Sequence, residues 1–208
     1  MVFTAGRPPG LVVTRLVSLK TYQHPTPLHW STLVIDHPMI QRPQTSEHLP
    51  YYSRYIALVE GQDLTVALRK QIDTSLPFLR SISEQRSLHR YAPGKWSIKE
   101  VIGHLIDAER IFSYRALRFA RYDARPLSGF DQDPYVEAAG FDAHPWPDLI
   151  AEFEHVRRST ILFFRGLTPE AAMRSGVAND ASITVRALGY IIAGHELHHV
   201  GILRERYS

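Results

Sequence analysis

Four stretches of the chain repeat apolar residues every three or four positions, which is the spacing of one face of an α-helix. The pattern predicts helices over about 62–82, from Ile98 to about Arg121, from Trp146 to about Gly166 and from Ala181 to Tyr207. No stretch alternates convincingly between apolar and polar residues as a strand would. We therefore predict an all-α protein in which the four helices form a bundle with one or two long crossover connections.

Local signals indicate where these helices begin. Asp63 is a suitable N-cap for the first, and Ser97 followed three residues later by Glu100 forms a capping box before the second. The capping box is the best helix-start signal in the chain. Ser182 or Asp180 is expected to cap the fourth helix.

The connection between the second and third helices is long and rich in proline and glycine. It spans about 125–147, carries no long period, and includes Phe130 and Asp131. Connections of this length inside a compact domain are usually functional or cover another part of the molecule. After the third helix, Thr168 followed by Pro169 predicts one further short turn of helix.

Residues 1–50 differ from the rest of the chain. They contain half of the 14 prolines and show no sustained helical or strand period. We therefore expect an irregular or disordered N-terminal extension over 1–50, followed by the bundle over 51–208. Met39 stands shortly before the regular pattern, and an alternative is that it is the natural start.

Composition limits the chemistry that is available. The 208 residues are 44% hydrophobic, which is enough for one domain with an appendage, and they include no cysteine. Disulfides, thiolate metal sites and a cysteine nucleophile are therefore excluded, so a metal would be held by nitrogen and oxygen. The lack of cysteine suits a cytoplasmic location.

Charge and hydropathy argue against two classes of partner. The formal net charge is +3, and no basic run is interleaved with aromatic residues, so nucleic acid is not the expected partner. No apolar run approaches the ~18 to 20 residues that span a bilayer, so no membrane is expected.

The candidate chemistry lies in the last helix. His195 and His199 are one turn apart near the middle of its apolar stripe, where two imidazoles can bind one metal ion. His104, on the shoulder of the apolar face of the second helix, is the candidate third ligand. The alternative is that these are core histidines that hydrogen-bond to other side chains.

The same residues match the HExxH motif of zinc metalloproteases, with Glu196 as the general base. The third ligand of those enzymes usually lies downstream. Only 200–208 follow His199, and they contain no further histidine. A zinc peptidase is therefore kept only as a remote alternative.

Three segments together resemble the DinB-like superfamily, in its DinB_2 branch. They are 96–109, with His104 in its middle, 129–133, and 194–203. This group includes YfiT-type metal-dependent hydrolases and S-transferases that use bacillithiol or mycothiol. Over about 55–207, the resemblance implies an up-down-down-up four-helix bundle, with a divalent metal held by His104, His195 and His199.

The resemblance implies a metal-dependent hydrolase or thiol S-transferase that acts on a small molecule. It also implies a low-molecular-weight thiol as a candidate partner and a homodimer as the candidate assembly. Zinc, nickel, iron and manganese are all compatible with three imidazoles. The alternative is a non-catalytic metal-binding protein associated with stress or damage.

Carboxylates near the ligands are the candidate catalytic or orienting groups. Glu109, Asp107 and Asp131, in that order, are the candidates for orienting the imidazoles, and Glu109 and Asp131 are the catalytic candidates. The alternative for Glu109 is an ion pair inside the bundle with an arginine such as Arg115 or Arg186.

Overall fold

The computed structural model describes residues 38–123 and 125–207. Most of this part of the chain is helical. The α-helices in chain order are α1 (Ser53–Ile56), α2 (Leu64–Arg80), α3 (Glu84–Ser87), α4 (Ile98–Ala120), α5 (Gln132–Ala139), α6 (Trp146–Arg165), α7 (Pro169–Met173) and α8 (Val185–Arg206). Short 3₁₀ turns lie at Thr45–Glu47, Pro50–Tyr52 and Phe141–Ala143. The four long helices are those that the apolar periodicity predicts.

The predicted caps of the first two long helices are confirmed. Asp63 accepts a hydrogen bond from the Thr65 amide at 2.8 Å at the start of α2. At the start of α4, the Ser97 hydroxyl accepts from the Glu100 amide at 3.0 Å, and the Glu100 carboxylate accepts from the Ser97 amide at 2.7 Å. Local side-chain geometry therefore determines where both helices begin.

Helices α2 and α8 run in the same direction. Gln71 of α2 donates to the Ala193 carbonyl of α8, and one turn later Ser75 donates to Glu196. Helix α6 begins where α2 ends, since the indole of Trp146 donates to the Leu79 carbonyl at 3.2 Å. Helix α6 is therefore antiparallel to α2.

Helix α4 is parallel to α6 and completes the bundle. Glu109 of α4 contacts Arg157 of α6, and further along both helices Ser113 contacts Thr160. Both α2 and α4 pack between α6 and α8. The order is up-down-down-up, as the resemblance implies.

The structure corrects the expectation that the chain forms no strand. Two short strands, β1 (Ser175–Ala178) and β2 (Ala181–Thr184), pair antiparallel just before α8. Their two-residue turn places Asn179 at φ 52° and Asp180 at φ 59°, the left-handed region that tight hairpin turns require. Asn and Asp tolerate that region better than other non-glycine residues. The pair is therefore a turn signal in the sequence, which the interpretation of this segment as helix overlooked.

The hairpin also moves the start of the fourth helix. The predicted start at Ala181, capped by Asp180 or Ser182, is wrong, because those residues belong to the turn and to β2. Thr184 is the N-cap, and its hydroxyl accepts from the Ala187 amide at 3.2 Å. The short helix expected after the third helix is confirmed as α7, which Thr168 caps.

The described part of the long connection between α4 and α6 is attached to the bundle. It contains α5 and the turn Phe141–Ala143. The buried ammonium of Lys99 donates to the carbonyls of Asp142 and His144, at 3.3 and 2.6 Å, and pairs with Glu84. One cation thus holds the end of this crossover against α4.

Residues 38–50 were expected to belong to the N-terminal extension, and the structure places them against the bundle. Ile40 is buried, and its carbonyl accepts from the Tyr190 hydroxyl at 3.2 Å. Glu47 pairs with Arg186 of α8. The remainder of the expected extension, 1–37, lies outside the described residues. None of the described helices is both long and apolar enough to cross a membrane.

Candidate metal centre

Three imidazoles from two helices meet inside the bundle. His104 projects from the second turn of α4, and His195 and His199 project from α8. The Nε2 atom of His195 is 3.1 Å from that of His104 and 3.0 Å from that of His199. The three ligand atoms all lie within 4.8 Å of one another. The antiparallel packing of α4 and α8 therefore brings together the three residues that the sequence singles out.

These separations match the requirements of a metal ion. Two nitrogens that each lie about 2.1 Å from one ion are about 3.0 Å apart at a right angle and about 3.4 Å apart at the tetrahedral angle. The observed Nε2–Nε2 distances of 3.0 and 3.1 Å fit the first case. The donor set is all nitrogen, which suits zinc, nickel or iron better than manganese, because manganese prefers oxygen ligands.

The surroundings keep the imidazoles neutral. Burial lowers the pKa of His104 to about 4. Burial, with smaller contributions from the charges of His104, His198 and Arg54, lowers the pKa of His199 to about 3. The pKa of His195 lies well below its usual value for the same main reason. Neutral imidazoles carry the free lone pairs that metal ligation needs.

Aromatic side chains enclose the cluster on several sides. The Trp96 ring lies 5.0 Å from that of His104, and the Tyr55 and Phe112 rings lie 5.3 and 6.3 Å from that of His195. On the His199 side a cleft of about 460 Å³ opens. It is lined by Tyr91, Gly94, Lys95, Trp96, Val101, Gln132, Asp133, His199, Ile202 and Tyr207. A small molecule in this cleft would reach the imidazole cluster at His199.

Comparison with known proteins identifies the family. The family model of the DinB superfamily matches residues 67–203. The chain belongs to the DinB superfamily. YfiT from Bacillus subtilis, described as a probable metal-dependent hydrolase with an unusual four-helix bundle topology, has a similar fold, with a TM-score of 0.61. At 17% sequence identity, the likeness covers 78% of this chain and 89% of YfiT. No curated protein matches the chain.

In this DinB-superfamily protein, the glutamate of the HExxH motif faces away from the imidazoles. Glu196 is buried and accepts hydrogen bonds from Ser75 of α2 and Arg157 of α6. A zinc peptidase needs this glutamate beside the metal as a general base. The third imidazole also comes from upstream, on α4, and not from the residues after His199. The arrangement therefore does not fit a zinc peptidase.

Glu109, a candidate catalytic or orienting carboxylate, forms an ion pair inside the bundle. It is buried and accepts from Arg157 Nε at 3.0 Å and from Arg157 Nη2 at 2.8 Å. Of the two arginines considered from the sequence, Arg115 donates to the Ser128 carbonyl and Arg186 pairs with Glu47. The ion-pair alternative was right in kind, but the partner was missed because Arg157 is 48 residues away and on another helix.

Neither aspartate belongs to the group of side chains whose ligand atoms lie together at the imidazole cluster. Asp131 is exposed and caps α5 by accepting from the Asp133 amide at 3.2 Å. Asp107 is half-buried, and burial raises its pKa, while the charge of Arg110 opposes the shift. Within the described residues, the hydrogen-bond contacts of the three site imidazoles are with one another.

Proposed function

We propose that His104, His195 and His199 hold a divalent metal ion and that this DinB-superfamily protein is a metal-dependent hydrolase of a small molecule. The observation that carries the proposal is the convergence of three neutral imidazole nitrogens within ligand distance of one ion, at the end of an open cleft. Three protein ligands leave coordination positions free, which is typical of catalytic sites and not of closed structural sites.

A bound divalent ion supplies a Lewis acid that lowers the pKa of water to near neutrality and polarises a carbonyl group. The chain contributes position and exclusion of solvent. Trp96 and Phe112 pack against the imidazoles and limit the access of bulk water. The Tyr55 ring packs edge to face against that of His195, and its hydroxyl accepts from Arg54 at 2.9 Å. Burial raises the pKa of this phenol to about 12.

The cleft beside His199 is the proposed substrate site. Tyr91 and Tyr207 contact each other edge to face at 5.0 Å, and the Tyr207 hydroxyl donates to the Trp96 carbonyl at 2.7 Å. These contacts hold the aromatic wall of the cleft in place. Clefts of this size accept drug-sized molecules with an apolar body.

The first experiment measures metal binding. Protein purified without a polyhistidine tag is expected to bind about one equivalent of Zn²⁺ or Ni²⁺ in a calorimetric titration. His104→Ala, His195→Ala and His199→Ala each remove one ligand and are expected to weaken binding by about 100-fold or more, since three-ligand sites depend on every ligand. His198→Ala is the matched control, because His198 is on the same helix and outside the cluster. Wild-type protein that takes up no metal would refute the proposed site.

The second experiment tests the reaction. Metal-loaded protein is assayed against small esters and amides, and against electrophiles with and without a thiol cosubstrate. Turnover that needs metal and is lost in His195→Ala supports a hydrolase. Turnover that appears only with added thiol would indicate a thiol S-transferase and not a hydrolase. Tight metal binding without turnover would favour the non-catalytic alternative.

A further inference from the structure

A buried ionic network lies in the core of the bundle, beside the imidazole cluster. Arg157 of α6 donates to Glu109 of α4 and to Glu196 of α8, and its Nη1 also donates to Gln71 of α2 at 3.0 Å. Ser75 of α2 donates to Glu196. One guanidinium thus joins side chains from all four long helices. Arg157 and Glu196 are each 1% exposed and Glu109 is 4% exposed.

Among the described residues, the network contains two carboxylates and one cation. Both oxygens of Glu109 accept from Arg157, and the oxygens of Glu196 accept from Ser75 and Arg157. Every carboxylate oxygen therefore accepts a hydrogen bond, three of them from Arg157 and the fourth from Ser75. Burial lowers the pKa of Arg157, but the charges of Glu109 and Glu196 outweigh this and raise it. Counted by formal charges, two carboxylates against one guanidinium leave the network with one excess negative charge.

An uncompensated charge in an apolar core is costly, so an excess negative charge calls for a nearby positive one. Glu196 directly follows the ligand His195 in the chain. Glu109 is five residues beyond His104, or about 7.5 Å along the axis of α4.

We propose that the Glu109–Arg157–Glu196 network is the buried counter-charge of the metal centre, and that it strengthens divalent-cation binding without contacting the ion. This inference rests on the proposed function. The carboxylates are positioning and electrostatic groups, and they are not ligands. A charge on the order of 10 Å from a divalent ion, in the effective dielectric of a protein, changes its affinity by about tenfold or more.

The test is to remove one negative charge and retain the shape of the network. In Glu196→Gln, the amide oxygen can still accept from Arg157, and the amide nitrogen can donate to the Ser75 hydroxyl, which can reverse its role. Zn²⁺ affinity measured by calorimetry at low ionic strength is expected to fall by about tenfold or more. Glu109→Gln is the second variant, to be used if Glu196→Gln fails to fold. The same loss of Zn²⁺ affinity is expected for it.

Ser75→Ala is the matched control. It removes a hydrogen bond to the same carboxylate and leaves the charge, so a structural role and an electrostatic role give different results. The control is expected to lower the midpoint of thermal unfolding by a few degrees and to leave Zn²⁺ affinity within about threefold of wild type.

Two negative outcomes can be told apart. Folded glutamine variants whose Zn²⁺ affinity stays within about threefold of wild type would overturn the counter-charge role and leave the metal site intact. Equal losses of affinity in Ser75→Ala and Glu196→Gln would also overturn it, because packing alone would then explain both. Wild-type protein that binds no Zn²⁺ would instead refute the proposed function.

Discussion

At the scale of single residues, the state of the imidazoles is decided by where they are buried. The pKa of His104 falls to about 4 because its ring is enclosed by the bundle and by Trp96. An ordinary exposed histidine, in contrast, would be about half protonated near pH 6.5. The fold therefore holds a set of neutral nitrogen donors over a pH range in which free histidines begin to take up protons.

This shift makes the stability of the metal-free protein depend on pH. Below pH 6.5 the unfolded chain binds a proton at His104 that the folded chain does not bind. The free energy of unfolding must therefore fall as the pH falls from 6.5 towards 4. For His104 alone the loss between pH 6.5 and about 5 is about 1.5 kcal/mol. Urea unfolding in the presence of a chelator, at both pH values, measures it.

Variants assign the effect to this residue. His104→Gln is expected to reduce the difference between the two pH values. His155→Gln, which replaces an exposed histidine, should leave the difference unchanged. A difference that is the same in wild type and in His104→Gln would contradict the proposed origin of the pH dependence.

At the scale of elements, α8 carries two of the three imidazoles, and its entry point is set by a cap. Thr184 accepts from the Ala187 amide and donates to Glu47. Thr184→Ala is expected to lower the free energy of unfolding by about 1–2 kcal/mol, because both hydrogen bonds are lost.

Ser182 is the matched position for this prediction. It is exposed in β2, and the sequence alone had suggested it as the cap. Ser182→Ala should change the stability by less than about 0.5 kcal/mol in the same chemical denaturation experiment. Equal losses at both positions would contradict the cap assigned to Thr184.

A second prediction for α8 concerns its contact with α1. A Cβ added at Gly194 would lie 2.0 Å from the Tyr55 carbonyl oxygen, so α1 would have to move. Gly194→Ala is therefore expected to destabilise the protein by about 1–3 kcal/mol. The same change should displace the Tyr55 ring from His195, which NMR of the imidazole protons can detect.

Gly201, on the same helix, provides the comparison. A Cβ there meets no atom within 4 Å. Gly201→Ala should be neutral or stabilise the helix by up to about 1 kcal/mol, because alanine has the higher helix propensity. Thermal unfolding of the two variants side by side tests both signs. A Gly194→Ala protein that is as stable as wild type would contradict the prediction, because α1 would then have moved with little loss of stability.

At the scale of the whole molecule, residues 38–50 act as part of the bundle. Arg42 donates to the carbonyl of Ile56 at 2.6 Å, and Ile40 is buried among the helices. This segment thereby supports α1, which in turn places Tyr55 beside His195.

Two truncated chains test this role. The chain 51–208 lacks Ile40, Arg42 and the Glu47–Arg186 ion pair, whereas the chain 38–208 retains them. The shorter chain is expected to be less stable by about 3 kcal/mol or more, since burial of one isoleucine alone contributes about 1.5–3 kcal/mol. Equal unfolding midpoints in urea would show that the segment contributes nothing to the bundle.

The sequence alone determined those features that depend on neighbours along the chain. Helical periodicity located α2, α4, α6 and α8, and the capping box at Ser97 and Glu100 marked the start of α4. His195 and His199 could be paired without a structure, because a spacing of four residues places them on one face of any α-helix. The hairpin before α8 was the local feature that periodicity misjudged, since its turn signal at Asn179–Asp180 resembled a helix start.

Only the tertiary structure decided which distant residues meet. His104 could be proposed as a third ligand, but its distance from His195 depends on how α4 packs against α8. The pairing of Glu109 with Arg157, and the orientation of Glu196 away from the imidazoles, depend in the same way on the rotation of each helix about its axis. A local pattern restricts a residue to a face of its helix. The neighbour that this face contacts is chosen by the packing of the whole core.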